Sequence, residues 1–276
     1  MGYDESLTQE LQDFLRVSLD TVPTKPSRLM KTLTMEAGNQ PLSVCSDLFS
    51  IHRLDTENFQ EAVDFVSEIF SNEPLGLACG HVQPWRHRLI ASAIADIQRH
   101  EESTGIKPSL LIKFKNEIVG AVIVMPPPDE LAASRGTNAC DPVTAILDQD
   151  EGAVRLFKAM NDADECAALQ YPQIRVKQLP EFFTGALHPN FTGQVGTGIS
   201  LGSFMYSLCA RVMEDETNWI YVKSHSNDAS WKSKERAGGW DLLYRVQYSD
   251  MKGGVLVDST IKGSLNVVVY NLRQAK

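Results

Sequence analysis

The chain has no uninterrupted apolar stretch near the ~20 residues that a membrane-spanning helix requires, and residues 1–20 carry acids where an export signal would carry a basic and then an apolar run. A soluble, non-exported, cytoplasmic protein is therefore expected. Met1-Gly2 with Ser6 fits the bare myristoylation pattern, but acidic neighbours and one acyl chain would anchor weakly. Paired cysteines are also lacking. Cys45, Cys79, Cys140, Cys166 and Cys209 are odd in number and widely spaced, so reduced thiols are predicted and no metal site is implied. Basic charge is scarce: 26 Lys and Arg against 35 Asp and Glu leave a net charge of −9. Nucleic acid and anionic membrane are thereby disfavoured as partners. The absence of G-x-x-x-x-G-K-[ST] argues against a nucleoside triphosphatase.

What is present is an ordinary globular composition, 43% hydrophobic and 22% charged over 276 residues. Residues 1–45 read as an extension: a short amphipathic helix (Leu7, Leu11, Phe14, Leu15), then a stretch broken by Pro23, Pro26 and Pro41. Residues 46–276 read as one domain. A strand over Asp47–His52 precedes a helix over Glu57–Phe70, whose Phe59, Ala62, Val63, Val66, Ile69 and Phe70 fall on one face. Pro74 forces the chain out of that helix. A second helix runs from Trp85 to about His100. The period then changes to that of strands over Leu110–Lys115 and Ile118–Met125, with a tight turn at Asn116-Glu117. Residues 126–142 form a long polar segment with proline and glycine, and a helix is predicted near Ala145–Met160.

From residue 181 the pattern is strand (Phe182–Leu187), glycine loop (Gly193–Gly198), helix from Leu201, strand (Trp219–Ser224), helix (Asp228–Ala237), strand (Leu242–Tyr248) and strand (Leu265–Asn271). Alternation of this kind after an antiparallel hairpin predicts a mixed α/β sheet. Charge is divided as well: residues 219–276 hold nine basic and five acidic side chains, about +4, leaving about −13 elsewhere. The glycine loop carries the most chemistry. A strand ends at Leu187, glycines let the backbone turn and present its N–H groups, and a helix opens with its positive end at the same point, which suits a pyrophosphate.

A strand ending in apolar-x-Pro, the loop Gly193-Gln194-Val195-Gly196-Thr197-Gly198, a helix with Leu201 three residues on, a strand, then Asn227 and Gly239-Trp240 together resemble the GNAT acetyltransferase superfamily. The resemblance spans roughly residues 47–272 and is strongest over 182–248. It implies a mixed, mostly antiparallel α/β sheet flanked by helices and split between two strands where acetyl-coenzyme A enters as co-substrate. It further implies that Leu187 meets the pantetheine arm, that Gln194, Val195, Gly196, Thr197 and Gly198 hold the phosphates, and that Asn227 supports the arm. Two departures stand out. Gly193 occupies the place usual for Gln or Arg, with Gln194 one position late, and Lys234 or Glu235 falls where a tyrosine acid is usual.

Phe70-Ser71-Asn72-Glu73-Pro74-Leu75 is similar, more narrowly, to the Glu-Pro-Leu segment of insect-type arylalkylamine N-acetyltransferases, which implies Glu73 as general base. Ser226 and Ser230 match two serines four apart in those enzymes, with roles in proton transfer or site order. The expected activity is acetyl transfer to a small primary amine, an arylalkylamine or polyamine, by a monomer or homodimer. The rivals are a silent coenzyme-binding regulatory protein and a protein or peptide N-acetyltransferase. Purely structural roles also fit these residues. Glu73-Pro74 also fits a mere helix stop, Ser226 and Ser230 fit helix capping, and His81, His87 and His188 fit surface or packing positions, with His188 in reserve. Lys232, Lys234 and Arg236 fit either a solvated face or contact with a 3′-phosphate. Trp85 fits the core or the wall of an acceptor pocket.

Overall fold

The computed structural model describes residues 49–81, 85–135, 150–192 and 200–273. Among them are seven strands: β1 (Phe49–Arg53), β2 (Leu110–Phe114), β3 (Glu117–Met125), β4 (Glu181–Leu187), β5 (Tyr221–Ser226), β6 (Trp240–Gln247) and β7 (Ser264–Asn271). The seven helices are α1 (Phe59–Phe70), α2 (Pro74–Ala78), α3 (Trp85–Thr104), α4 (Pro128–Arg135), α5 (Glu151–Gln170), α6 (Leu201–Glu216) and α7 (Asp228–Ala237). The extension assigned to 1–45 and residues 136–142 of the polar segment lie outside the described residues. Among the described residues no helix is long and apolar enough to cross a membrane.

The β2–β3 turn is one residue earlier than expected. Lys115 and Asn116 both have positive φ (49° and 69°), the mirror-image turn that matches strand twist in a two-residue hairpin. Helix α5, capped by Asp150, runs from Glu151 to Gln170, well past the predicted Met160, and residues 145–149 of the predicted helix lie outside the described residues. The polar segment contains α4, whose Leu131 is buried. The first strand runs through Arg53, and β5 starts at Tyr221 and continues to Ser226. Of the cysteines, Cys79, Cys166 and Cys209 are free thiols, and Cys45 and Cys140 are outside the described residues.

The sheet order is β1-β2-β3-β4-β5-β7-β6, and every neighbouring pair is antiparallel except β4–β5. Strand alternation divides β7 between two cores. Leu265, Val267 and Val269 face α2 and α5, while Val268 joins the cluster built on α6, with Phe204, Met205, Leu208 and Val212. Helices α1 and α3 close the first face over β2–β4, through Val63, Val66, Ile90, Ile94 and Ile97 against Leu111, Ala121, Ile123 and Ala186. Residues far apart in sequence thus bury three adjoining cores around a single sheet.

Candidate active site

The β4–β5 pair holds the geometry of interest. The two parallel strands share one register pair, Glu181 with Lys223. Beyond that point β4 goes on pairing with β3 as far as Leu187 opposite Gly120, but no further ladder pair joins it to β5 among the described residues. The sheet therefore opens into a wedge toward Leu187 and Ser226. Tyr206 of α6 lies against the opening: a Cβ added to Gly185 would sit 2.1 Å from its hydroxyl, so only glycine allows this approach.

A closed ring of charge sits where the strands meet. Lys223 Nζ lies 2.5 Å from Asp164 Oδ2 and 3.4 Å from Glu181 Oε2, and His225 reaches Asp164 Oδ1 at 2.9 Å and Glu181 Oε1 at 2.8 Å. Burial opposes the charge on His225, but Glu181 and Asp164 outweigh it and raise its pKa to about 9. Burial also opposes ionisation of Glu181, yet Lys223 and His225 hold it at about 2. Two cations facing two carboxylates leave no net buried charge, the condition under which such a group is tolerated.

A cavity of about 370 Å³ lies beside the wedge, bounded by α1–α5, β4, β5 and α7. That is an ordinary size for a small-molecule site. Phe70, Leu89, Phe157, Met160 and Phe183 supply apolar walls, and Glu73, Arg86, Asp96, Ser226, Asn227, Ser230 and Lys234 supply polar ones. Three candidates, Glu73 and, far along the chain, the neighbouring Ser226 and Ser230, therefore line one cavity. Glu73 does more than stop α1. It caps α2, its Oε2 accepting the Gly76 N–H at 2.6 Å, and it stays partly exposed. Asn227 caps α7, its Oδ1 accepting the Ser230 N–H at 2.9 Å.

The basic run on α7 divides between surface and interior. Lys232 and Arg236 are exposed, but Lys234 is only 1% exposed and points inward, so it is not part of a solvent-facing phosphate patch. Its Nζ donates to Ser226 Oγ at 3.0 Å and Ser230 Oγ at 2.8 Å, and lies 3.9 Å from the Tyr206 ring centroid. The Tyr206 hydroxyl is 2.9 Å from Ser230 Oγ. The inward stripe Asn227, Ser230, Lys234 at helical spacing was the available signal, and it was masked by the charge of its neighbours.

Gln194, Val195, Gly196, Thr197 and Gly198 lie outside the described residues. Their downstream flank is the N-terminus of α6, capped by Ser200, whose Oγ accepts from Ser203 N. Leu187 ends β4, half-buried. His188 turns inward to its own chain, its Nδ1 accepting the Asn190 N–H, and His87 pairs at the surface with Asp64. Trp85 opens α3, with its side chain outside the described residues. His81 is buried, its Nδ1 2.5 Å from Asp150 Oδ2; burial lowers its pKa against the pull of that carboxylate. Arg86 donates to the backbone carbonyls of Phe70 and His81, bracing α3 against the chain around Glu73. No sequence pattern marked Arg86 or the His81–Asp150 pair, whose members are 69 residues apart.

A mixed sheet opened between parallel β4 and β5, with α6 following β4 in the chain, is the GNAT fold, and solved structures agree. The chain resembles arylalkylamine N-acetyltransferase 2 from Aedes aegypti (TM-score 0.56, 15% identity, 82% of this chain and 99% of that one). It also resembles the Drosophila melanogaster polyamine N-acetyltransferase that forms N-acetylagmatine (0.54, 15%, 81% and 99%). A third likeness is to the C-terminal condensation domain of Ebony, solved with β-alanyl-dopamine (0.57, 12%, 81% and 98%). No protein-family model and no curated protein matches the sequence.

Proposed function

We propose that the protein is an acetyl-coenzyme A-dependent N-acetyltransferase of small primary amines, with Glu73 as the general base. The observation that carries this reading is the convergence of Glu73, Ser226 and Ser230 on one cavity beside the opened sheet. Acetyl-coenzyme A is the co-substrate the fold implies, supplying the activated acetyl group. The unpaired edge of β4 up to Leu187 offers backbone groups to an extended arm, and the end of α6 offers a positive pole to phosphates. Exposed Lys232 and Arg236 on α7 suit a terminal phosphate.

An amine arrives protonated and must lose one proton before it can attack. Glu73 suits that step because it lines the cavity and makes no ion pair among the described residues. The other two lining carboxylates are engaged, Asp96 by Arg99 and Arg135, and Glu181 by Lys223 and His225. This count also favours one substrate class over another. A polyamine brings a second ammonium that finds no unpaired carboxylate among the described lining residues, whereas an arylalkylamine brings one cation and an apolar body suited to Phe70, Phe157 and Phe183.

The test is thermal melting with and without acetyl-coenzyme A, then thiol release on adding dopamine, tryptamine or spermidine. A melt shift with release by the aromatic amines supports the reading. A shift without release by amines or peptides supports a silent binding protein, and peptides outcompeting amines would move the activity to a protein acetyltransferase. Glu73→Gln retains an acceptor for Gly76 N, so the expected fall in kcat of about 10²- to 10⁴-fold is free of cap loss. Unchanged turnover would remove Glu73 from the mechanism.

A further inference from the structure

We propose that Lys234 is the proton relay of the transfer, carrying the proton that the attacking nitrogen sheds to the departing thiolate by way of the Ser230 hydroxyl. This rests on the acyltransferase reading of the cavity. The amine of Lys234 is walled in by Ser226 of β5, Ser230 of its own helix, the Tyr206 ring of α6 and the Trp240 ring of β6, whose centroid is 5.4 Å away. Among the described residues no carboxylate comes within ion-pair distance of Nζ. Glu181 of β4 acts on it only from afar and is spent on Lys223 and His225. Asp228 of α7 is held by the hydroxyl and N–H of Ser264, and Asn266 of β7 donates to the Ser226 carbonyl.

Taking an ammonium out of water costs more than two aromatic faces return. The balance leaves the amine uncharged, and burial accordingly pushes its pKa well below the ordinary lysine value. An uncharged amine keeps a lone pair, and a serine hydroxyl is free to rotate and donate to it. Ser230 is the way in: it is partly exposed, lines the cavity and touches both Lys234 Nζ and the Tyr206 hydroxyl. A buried lysine without a counter-ion is expensive for stability, and a proton-handling task explains its presence.

The step balances. The substrate amine, already freed of its first proton by Glu73, attacks the thioester carbon, and the new C–N bond leaves nitrogen positive and oxygen negative. Lys234 takes the nitrogen's second proton through Ser230 and becomes an ammonium. As the tetrahedral centre collapses and the C–S bond breaks, the ammonium returns that proton to sulfur, giving amide and free thiol with the lysine restored.

The experiment is run on the full chain. In protein labelled with [13Cε]lysine, one resonance is expected to titrate well below the others and to vanish in Lys234→Met. Wild-type kcat should fall as pH drops through that same value, when the lysine gains its proton. Lys234→Met should lose about 10²- to 10⁴-fold in kcat, bind acetyl-coenzyme A within threefold of wild type, and melt no lower. The relay is overturned if all lysines titrate together, if Lys234→Met turns over within threefold of wild type, or if it melts lower and loses coenzyme binding. Wild-type protein that releases no thiol with any amine would overturn the transferase reading and the relay with it; a fully active Lys234→Met would overturn the relay alone.

Discussion

His225→Gln probes the charge ring that joins β4 to β5 at the point beyond which the sheet opens. In the folded protein the imidazolium reaches Asp164 at 2.9 Å and Glu181 at 2.8 Å, and its pKa stands at about 9 against an ordinary 6.5. A group whose pKa is raised on folding stabilises fully below the unfolded value, and that stability drains away as pH rises through the folded one. The window is therefore pH 6.5 to 9, and the shift corresponds to roughly 3 kcal/mol. The substituted glutamine can donate to one carboxylate but carries no charge. Urea unfolding at pH 6, 7.5, 9 and 10 should show the variant less stable by about 3 kcal/mol at pH 6, with the gap closing by pH 10. Other titrations common to both proteins cancel in the difference. A gap that stays constant from pH 6 to 10 would refute a charged His225 in the ring.

Glu101, 1% exposed, has its pKa raised to about 8 by burial, against favourable contact with Ser109. Its contribution is full below pH 4.5 and lost as pH climbs through 8, so Glu101→Gln should be more stable than wild type at pH 8.5 by on the order of a few kcal/mol in urea titrations. Gly185→Ala places a methyl 2.1 Å from the Tyr206 hydroxyl and 2.7 Å from Cζ. Overpacking of this kind costs about 1–3 kcal/mol, and Tyr206→Phe in the same chain should recover only part of it, because the ring carbons still collide. Lys232→Ala with Arg236→Ala should weaken acetyl-coenzyme A but leave binding of the 3′-dephospho form unchanged by calorimetry; equal weakening of both would place those side chains away from the phosphate.

Local pattern alone settled much of this protein. The apolar spacing in 59–70 and 110–125 determined α1, β2 and β3, because helix and strand periods follow from backbone geometry and need no partner. The limits of α7 were legible because Asn227 caps it and Gly238 ends it, and short motifs were enough to nominate Glu73, Ser226, Ser230 and Asn227 as candidates. Other features depended on which distant segments pack together. Lys234 reads as one cation in a basic run, and only the packing of α7 on α6 and β6 turns it inward among aromatic rings. The His81–Asp150 pair and the ring of Asp164, Glu181, Lys223 and His225 join residues tens of positions apart, with no local spacing to announce them. The opening of the sheet is likewise a property of two strands that share a single register pair. Tertiary structure decided these because burial and pairing, which set a side chain's charge and partners, belong to the assembled chain and to no segment of it.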